Sequence, residues 1–176
     1  PLIKEALAAA GHNNHYLPTL GLGALRDAAK EYIIRRHGLV YQDYVPVIGP
    51  GSKELIFDIQ LACDGDLLFP VPSWVTYIPQ TLITRDAVIK IHTLKKNSYH
   101  LTPAKLEEAI LRARQEGYKP HKLILNYPNN PTGMSYSAKE LGELAVVCRK
   151  YRLLVISDEI YALVTYKQDH ASIASY

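Results

Sequence analysis

Cysteine is scarce in this chain: Cys63 and Cys148 are the only two among 176 residues. Both fall within apolar helical patterns, which reads as buried, reduced thiols of a cytoplasmic protein rather than as a disulfide. An excess of one charge is lacking too. The formal net charge is +3, with lysine and arginine scattered along the chain, so no nucleic-acid or membrane partner is expected from charge. No hydrophobic run reaches the length of a membrane span, and no leader pattern is visible. The histidines of His12-Asn13-Asn14-His15 lack a further ligand at a useful spacing, so a solvated loop is expected there and no metal site. Gly21-x-Gly23 has Arg26 in place of a third glycine and no preceding strand, which excludes a dinucleotide fingerprint, and no Gly-x4-Gly-Lys-Ser/Thr loop occurs. Internal repeats, low-complexity segments and linkers are also missing.

What is present is an ordinary globular composition, 48% hydrophobic and 21% charged, at a length suited to one domain with a real core. Helices are predicted over Leu2 to Ala10, ended by Gly11, and over Ala24 to His37, where Leu25, Ala28, Ala29, Tyr32 and Ile33 form an apolar stripe. An alternation follows. Val45 to Ile48 reads as a strand, Ser52 to Ala62 as a helix, Asp66 to Val71 as a strand, Ser73 to Leu82 as a helix broken near Pro79, and Ala87 to His92 as a strand. After a loop or hairpin, Thr102 caps a helix with Pro103 in its first turn, running to Gln115. Leu123 to Leu125 and Leu153 to Ile156 are apolar strands around a helix from Ser137 to Tyr151, which opens on a Ser-x-x-Glu capping box. Strand and helix in alternation predict an α/β fold, a mainly parallel sheet with helices on both faces.

Each strand is followed by polar residues, and in open α/β sheets ligands sit at the C-terminal strand ends. Ser52 and Lys53 open a helix behind Gly49-Pro50-Gly51; free amides there suit a phosphate, though Ser52 serves equally as a helix cap. Trp74, in Pro-Ser-Trp, could stack on a planar ligand or simply pack. Asn130-Pro131-Thr132-Gly133 delivers an amide at a strand end, or is a plain turn. Asp158 directly follows an apolar run, so its carboxylate needs a cation or proton donor facing it. Glu159 is expected to be its exposed neighbour.

In combination, Gly-Ser-Lys, Pro-Ser-Trp, Asn-Pro-Thr-Gly and Ser-Asp-Glu-Ile-Tyr, each after a predicted strand, resemble the class I/II pyridoxal-phosphate-dependent aminotransferases over essentially the whole chain. The resemblance implies pyridoxal 5'-phosphate as cofactor and an amino acid and a 2-oxo acid as substrates. It implies that Ser52 and Lys53 hold the cofactor phosphate, that Trp74 stacks on the pyridine ring, and that Asn130 and Tyr161 bond the ring's phenolic oxygen. Asp158 would pair with the ring nitrogen and keep it protonated, which the chemistry requires of an electron sink. Tyr16 matches a tyrosine that reaches the neighbouring subunit's phosphate, implying a homodimer with shared sites. A cis peptide is expected at Asn130-Pro131.

The same resemblance frames the chain as a piece of a longer protein: residues 1–40 a helical segment leading into the large domain, residues 41–176 part of that cofactor-binding domain. The family's Schiff-base lysine and carboxylate-binding arginines would lie beyond Tyr176, and Lys167 stands too close to Asp158 to match that lysine. The expectation is an aminotransferase fragment that cannot turn over alone. The alternatives are a β-lyase or a cyclopropane-carboxylate synthase using the same cofactor, or an aminotransferase-like sensor domain of a transcription regulator.

Overall fold

The structure, a computed structural model, describes residues 2–13, 15–37, 44–166 and 169–176. Among the described residues six α-helices and four strands follow one another as α1 (Leu2–Ala10), α2 (Gly23–His37), α3 (Ser52–Ala62), β1 (Asp66–Val71), α4 (Tyr77–Ile83), β2 (Val88–His92), α5 (Pro103–Gln115), β3 (Pro120–Asn126), α6 (Ala138–Tyr151) and β4 (Leu154–Asp158). The fold is α/β, and the sheet, in the order β2-β1-β3-β4, is parallel throughout.

Handedness decides where the helices lie. A right-handed crossover that moves one way along a sheet puts its helix on one face, and a crossover moving the other way puts it on the opposite face. From β1 to β2 the chain steps towards one edge, and α4 packs with α3 on the face formed by Leu67, Phe69, Ile124 and Ile156. From β2 to β3, and again from β3 to β4, it steps the other way. Accordingly α5 and α6 share the other face, with Leu68, Ile89, Ile91, Leu123 and Leu125. Side chains alternate across a strand, so these adjacent apolar residues feed two separate cores. The reversal of direction falls between β1 and β3, where Trp74 follows one strand and Asn130 the other. Pro70 is tolerated inside β1 because β1 pairs with β3 only as far as Leu68.

Two helix starts follow the expected chemistry. Thr102 Oγ1 accepts the Lys105 amide at 3.3 Å, and Ser137 and Glu140 form a reciprocal capping box. Other expectations are corrected. Residues 45–48 form no strand with any described residue; Ile48 N instead donates to Leu20 O at 3.0 Å, and Arg26 Nε to Pro46 O at 2.7 Å. Pro46 has no N–H for a ladder, so the segment is tied to the loop before α2. Pro79 does not break its helix, because α4 begins only at Tyr77 and places the proline in its first turn, where no intrahelical donor is needed. The stretch after β2 is a 3-10 turn at Lys95–Asn97.

Helix α1 and the apolar stripe of α2 bury no residue among those described. Within the sheet one charge is fully enclosed. Lys122 Nζ reaches Asp86 Oδ2 at 2.6 Å, Cys63 O at 2.8 Å and Gln60 O at 3.4 Å. Burial pushes the Asp86 carboxyl up, but hydrogen bonds from Lys122 and Thr84 and the lysine charge outweigh it and leave it below the ordinary value. Cys63 and Cys148 are both free thiols, and burial pushes that of Cys148 up to about 11. No described helix is long and apolar enough to cross a membrane.

Candidate functional site

At the C-terminal ends of β3 and β4 the chain closes a cavity of about 160 Å³, lined by Ser52, Trp74, Tyr77, Asn126, Asn130, Asp158, Ile160 and Tyr161. Five of the seven residues singled out from the sequence meet here. Lys53 stands beside them, its Nζ 6.0 Å from the centre of the Trp74 ring. Tyr16 does not line the cavity and is fully exposed. Lys167 lies outside the described residues.

Asp158 is the last residue of β4 and pairs in register with Asn126, the last of β3. It is 6% exposed, and the facing proton donor demanded by its position is Tyr77. The phenol donates to Asp158 Oδ2 at 2.5 Å, from a ring that is itself wholly buried. Burial, reinforced by the hydrogen bond and charge of Asp158, pushes Tyr77 far above the ordinary tyrosine range, so it stays a donor. Asp158 Oδ1 accepts the Ile160 amide at 3.3 Å, which leaves that oxygen capacity for a further donor.

Asn126 locks the two strand ends together. Its Nδ2 donates to Asp158 O at 3.0 Å, and its Oδ1 accepts the Asn130 amide at 2.8 Å. The Asn-Pro-Thr-Gly turn is closed by Asn129, whose Oδ1 accepts from Thr132 N and Oγ1 at 3.2 and 2.9 Å, and by Gly133 N donating to Asn129 O at 2.7 Å. Gly133 sits at φ 69°, a conformation glycine takes at no steric cost. The Asn130-Pro131 peptide is cis, as are Val71-Pro72 and Tyr127-Pro128. Neither the Asn130 amide side chain nor the Tyr161 hydroxyl hydrogen-bonds another described residue.

The opposite wall is aromatic and electropositive. Trp74 meets Tyr77 edge to face, with ring centres 5.4 Å apart. Ser52 is the first residue of α3, behind Gly51 at φ 128°, and its hydroxyl caps nothing; the cap reading of Ser52 therefore falls. The first-turn amides of an α-helix have no intrahelical partner and carry the positive end of its dipole.

Glu159 is not the exposed neighbour expected from the sequence. Its Oε1 accepts from Ser157 at 2.6 Å, Ser172 at 2.7 Å and the Tyr127 phenol at 3.2 Å, while Oε2 meets His170 Nε2 at 2.6 Å. Four partners hold the carboxylate beneath the chain that follows β4, turned away from the cavity. Tyr77 and Asn126 received no role from the sequence, although Tyr77 stands in the same Pro-Ser-Trp-x-x-Tyr run as Trp74 and Asn126 opens the polar stretch after Leu125. Among the described residues no group of three His, Cys, Asp or Glu is placed to hold a metal ion.

Comparison with known proteins adds a consistent picture. The family model described as "Aminotransferase class I and II" matches residues 2–175. An aspartate aminotransferase from Geobacillus stearothermophilus is 34% identical over 178 residues, covering 98% of this chain and 44% of the relative. One from Bacillus subtilis is 30% identical, covering 93% and 41%. Among solved structures, aspartate aminotransferase from Thermus thermophilus with maleate superposes with a TM-score of 0.86 at 29% identity, covering 98% of this chain and 45% of that one. An aromatic aminotransferase from Pyrococcus horikoshii gives 0.83 at 28% identity, covering 99% and 47%. The chain thus spans less than half the length of the relatives it matches.

Proposed function

The chain belongs to the class I and II aminotransferases, and from that premise we propose that it forms part of a pyridoxal-phosphate-dependent enzyme that moves an amino group between an amino acid and a 2-oxo acid. On this reading residues 41–176 are part of the cofactor-binding large domain and residues 1–40 lead into it. The enzyme would be a cytoplasmic homodimer, and these residues alone would not turn over. The observation that carries the proposal is the cavity itself, a buried carboxylate with a dedicated proton donor facing an indole wall and a helix N-terminus.

That donor set fits the cofactor. A flat ring with a basic nitrogen needs an aromatic wall, an anion at the nitrogen and a cationic or amide-rich cradle for its phosphate, and Trp74, Asp158 and the first turn of α3 are of those kinds. Ser52, Lys53 and the neighbouring amides would hold the phosphate, Trp74 would cover one face, and Asn130 and Tyr161 would bond the phenolic oxygen. Tyr16 would serve a partner subunit. When bound, pyridoxal phosphate supplies a carbonyl that amino groups attack and a ring that accommodates negative charge.

The chain's own part is electrostatic and positional. Asp158 would hold a proton at the ring nitrogen. Tyr77 fixes the Asp158 carboxylate by its hydrogen bond, and Asn126 keeps the two strand ends in register. Aspartate aminotransferase names recur among the relatives, so a dicarboxylic amino acid is the first substrate to try. Loading full-length protein with cofactor and assaying amino transfer tests the reading. Asp158→Ala should cost at least about 3 kcal/mol of barrier, roughly a hundredfold in rate, as loss of a preorganised charge does. Transfer at the wild-type rate by that variant would refute the assignment.

A further inference from the structure

Helix α4 touches both ends of the cavity. Tyr77 donates to Asp158 at one end. One turn later Gln80 Nε2 donates at 2.7 Å to the carbonyl of Lys53, in the first turn of α3. Gln80 Oε1 in turn accepts from Gln60 Nε2 at 3.3 Å, and Gln60 Oε1 lies 2.6 Å from the Thr81 hydroxyl. Gln60, Gln80 and Thr81 are all buried. Three uncharged polar side chains buried beside the enclosed Lys122 are costly unless every one is satisfied. Apolar residues of the same shape would pack there at little loss, so bulk stability does not account for them. What the amides specify is a distance, that between α3 and α4.

We propose that Gln80 is a positioning residue for the phosphate end of the cofactor site. By pinning the Lys53 carbonyl it sets the first-turn amides of α3 relative to Asp158, because Tyr77 and Gln80 stand three residues apart on one face of one short helix. The spacing between phosphate cradle and carboxylate is then built into α4 and does not wait for a ligand. The proposal rests on the cofactor reading above.

Binding to cofactor-free full-length protein tests it, with pyridoxal phosphate and phosphate-less pyridoxal titrated side by side. Gln80→Leu should weaken pyridoxal phosphate about tenfold, the worth of one well-placed hydrogen bond, and leave pyridoxal unchanged. Gln80→Glu keeps the shape but loses the donor towards Lys53, and should match it. In the cofactor-free state, amide exchange at Ser52, Lys53 and Glu54 should quicken in both variants. Equal losses for the two ligands would reduce Gln80 to a structural role and overturn the proposal, as would a phosphate preference that survives both substitutions. A wild-type protein without that preference would overturn the cofactor reading itself.

Discussion

Replacing Tyr77 by phenylalanine removes one oxygen and leaves the ring, so it isolates the bond that holds Asp158. That bond is 2.5 Å long, and its two ends are 0% and 6% exposed. No other described group donates to Asp158 Oδ2, and Oδ1 has only the Ile160 amide at 3.3 Å. The edge-to-face contact with Trp74 survives the substitution. A hydrogen bond to a charged group contributes about 1.5–3 kcal/mol, and a buried charge robbed of its donor sits at the upper end of that range. Tyr77→Phe should therefore lower the unfolding free energy by about 2–3 kcal/mol. Urea denaturation of cofactor-free protein, followed by circular dichroism, reads this as a lower midpoint at unchanged slope. Combining it with Asp158→Ala should give a coupling of at least about 1 kcal/mol, since the two side chains share one interaction. A loss under about 0.5 kcal/mol, the range of an inconsequential surface change, would refute the reasoning. So would strict additivity of the two substitutions.

Two further tests address the rest of the fold. Lys122→Met leaves Asp86 and two carbonyls without their cation; breaking a buried pair costs about 3–5 kcal/mol, and the lower end is expected because the Asp86 side chain is 19% exposed. Adding Asp86→Leu should recover part of that loss in the same denaturation assay, and a double variant worse than Lys122→Met would contradict it. Alkaline stability tests the buried phenols, since burial pushes Tyr77 and Tyr127 above the ordinary tyrosine range and Tyr136 up to about 12. Above about pH 10 the unfolded chain sheds these protons while the folded chain keeps them, so the stability they contribute is whole below that pH and is lost as pH rises. A urea midpoint that stays level up to about pH 11 would refute this, and Tyr136→Phe should shallow the decline.

Much of the site was legible because its residues break local patterns. Asp158 after an apolar strand, Ser52 after a Gly-Pro-Gly turn and Asn130 in a proline turn each stand out against neighbours that obey simple periodicity. Tyr77 and Gln80 obey theirs, as residues of a short helix, and only the crossover that lays α4 against α3, within reach of Asp158, gives them partners. Glu159 was misread for a related reason. A carboxylate next to a buried one looks exposed until the chain beyond β4 folds back with Ser172 and His170. Val45–Ile48 carries strand propensity without a neighbour, and propensity alone does not make a sheet. The α2 stripe likewise has the right period but no buried face, because a period specifies a surface and not what lies against it.

The cluster around Glu159 separates two parts of the chain that lie close in sequence. Its carboxylate is the post to which residues 170 and 172 return, and the Ile173 amide donates to the Tyr127 phenol at 2.9 Å in the same cluster. Whatever length of chain leaves at Ile160 and comes back at His170 is anchored at both ends, and doubling such a loop costs only about 0.6 kcal/mol in closure entropy. The stretch between Tyr161 and His170 can therefore change in length at little cost to the fold, while Asp158, one residue inside the anchor, keeps its place.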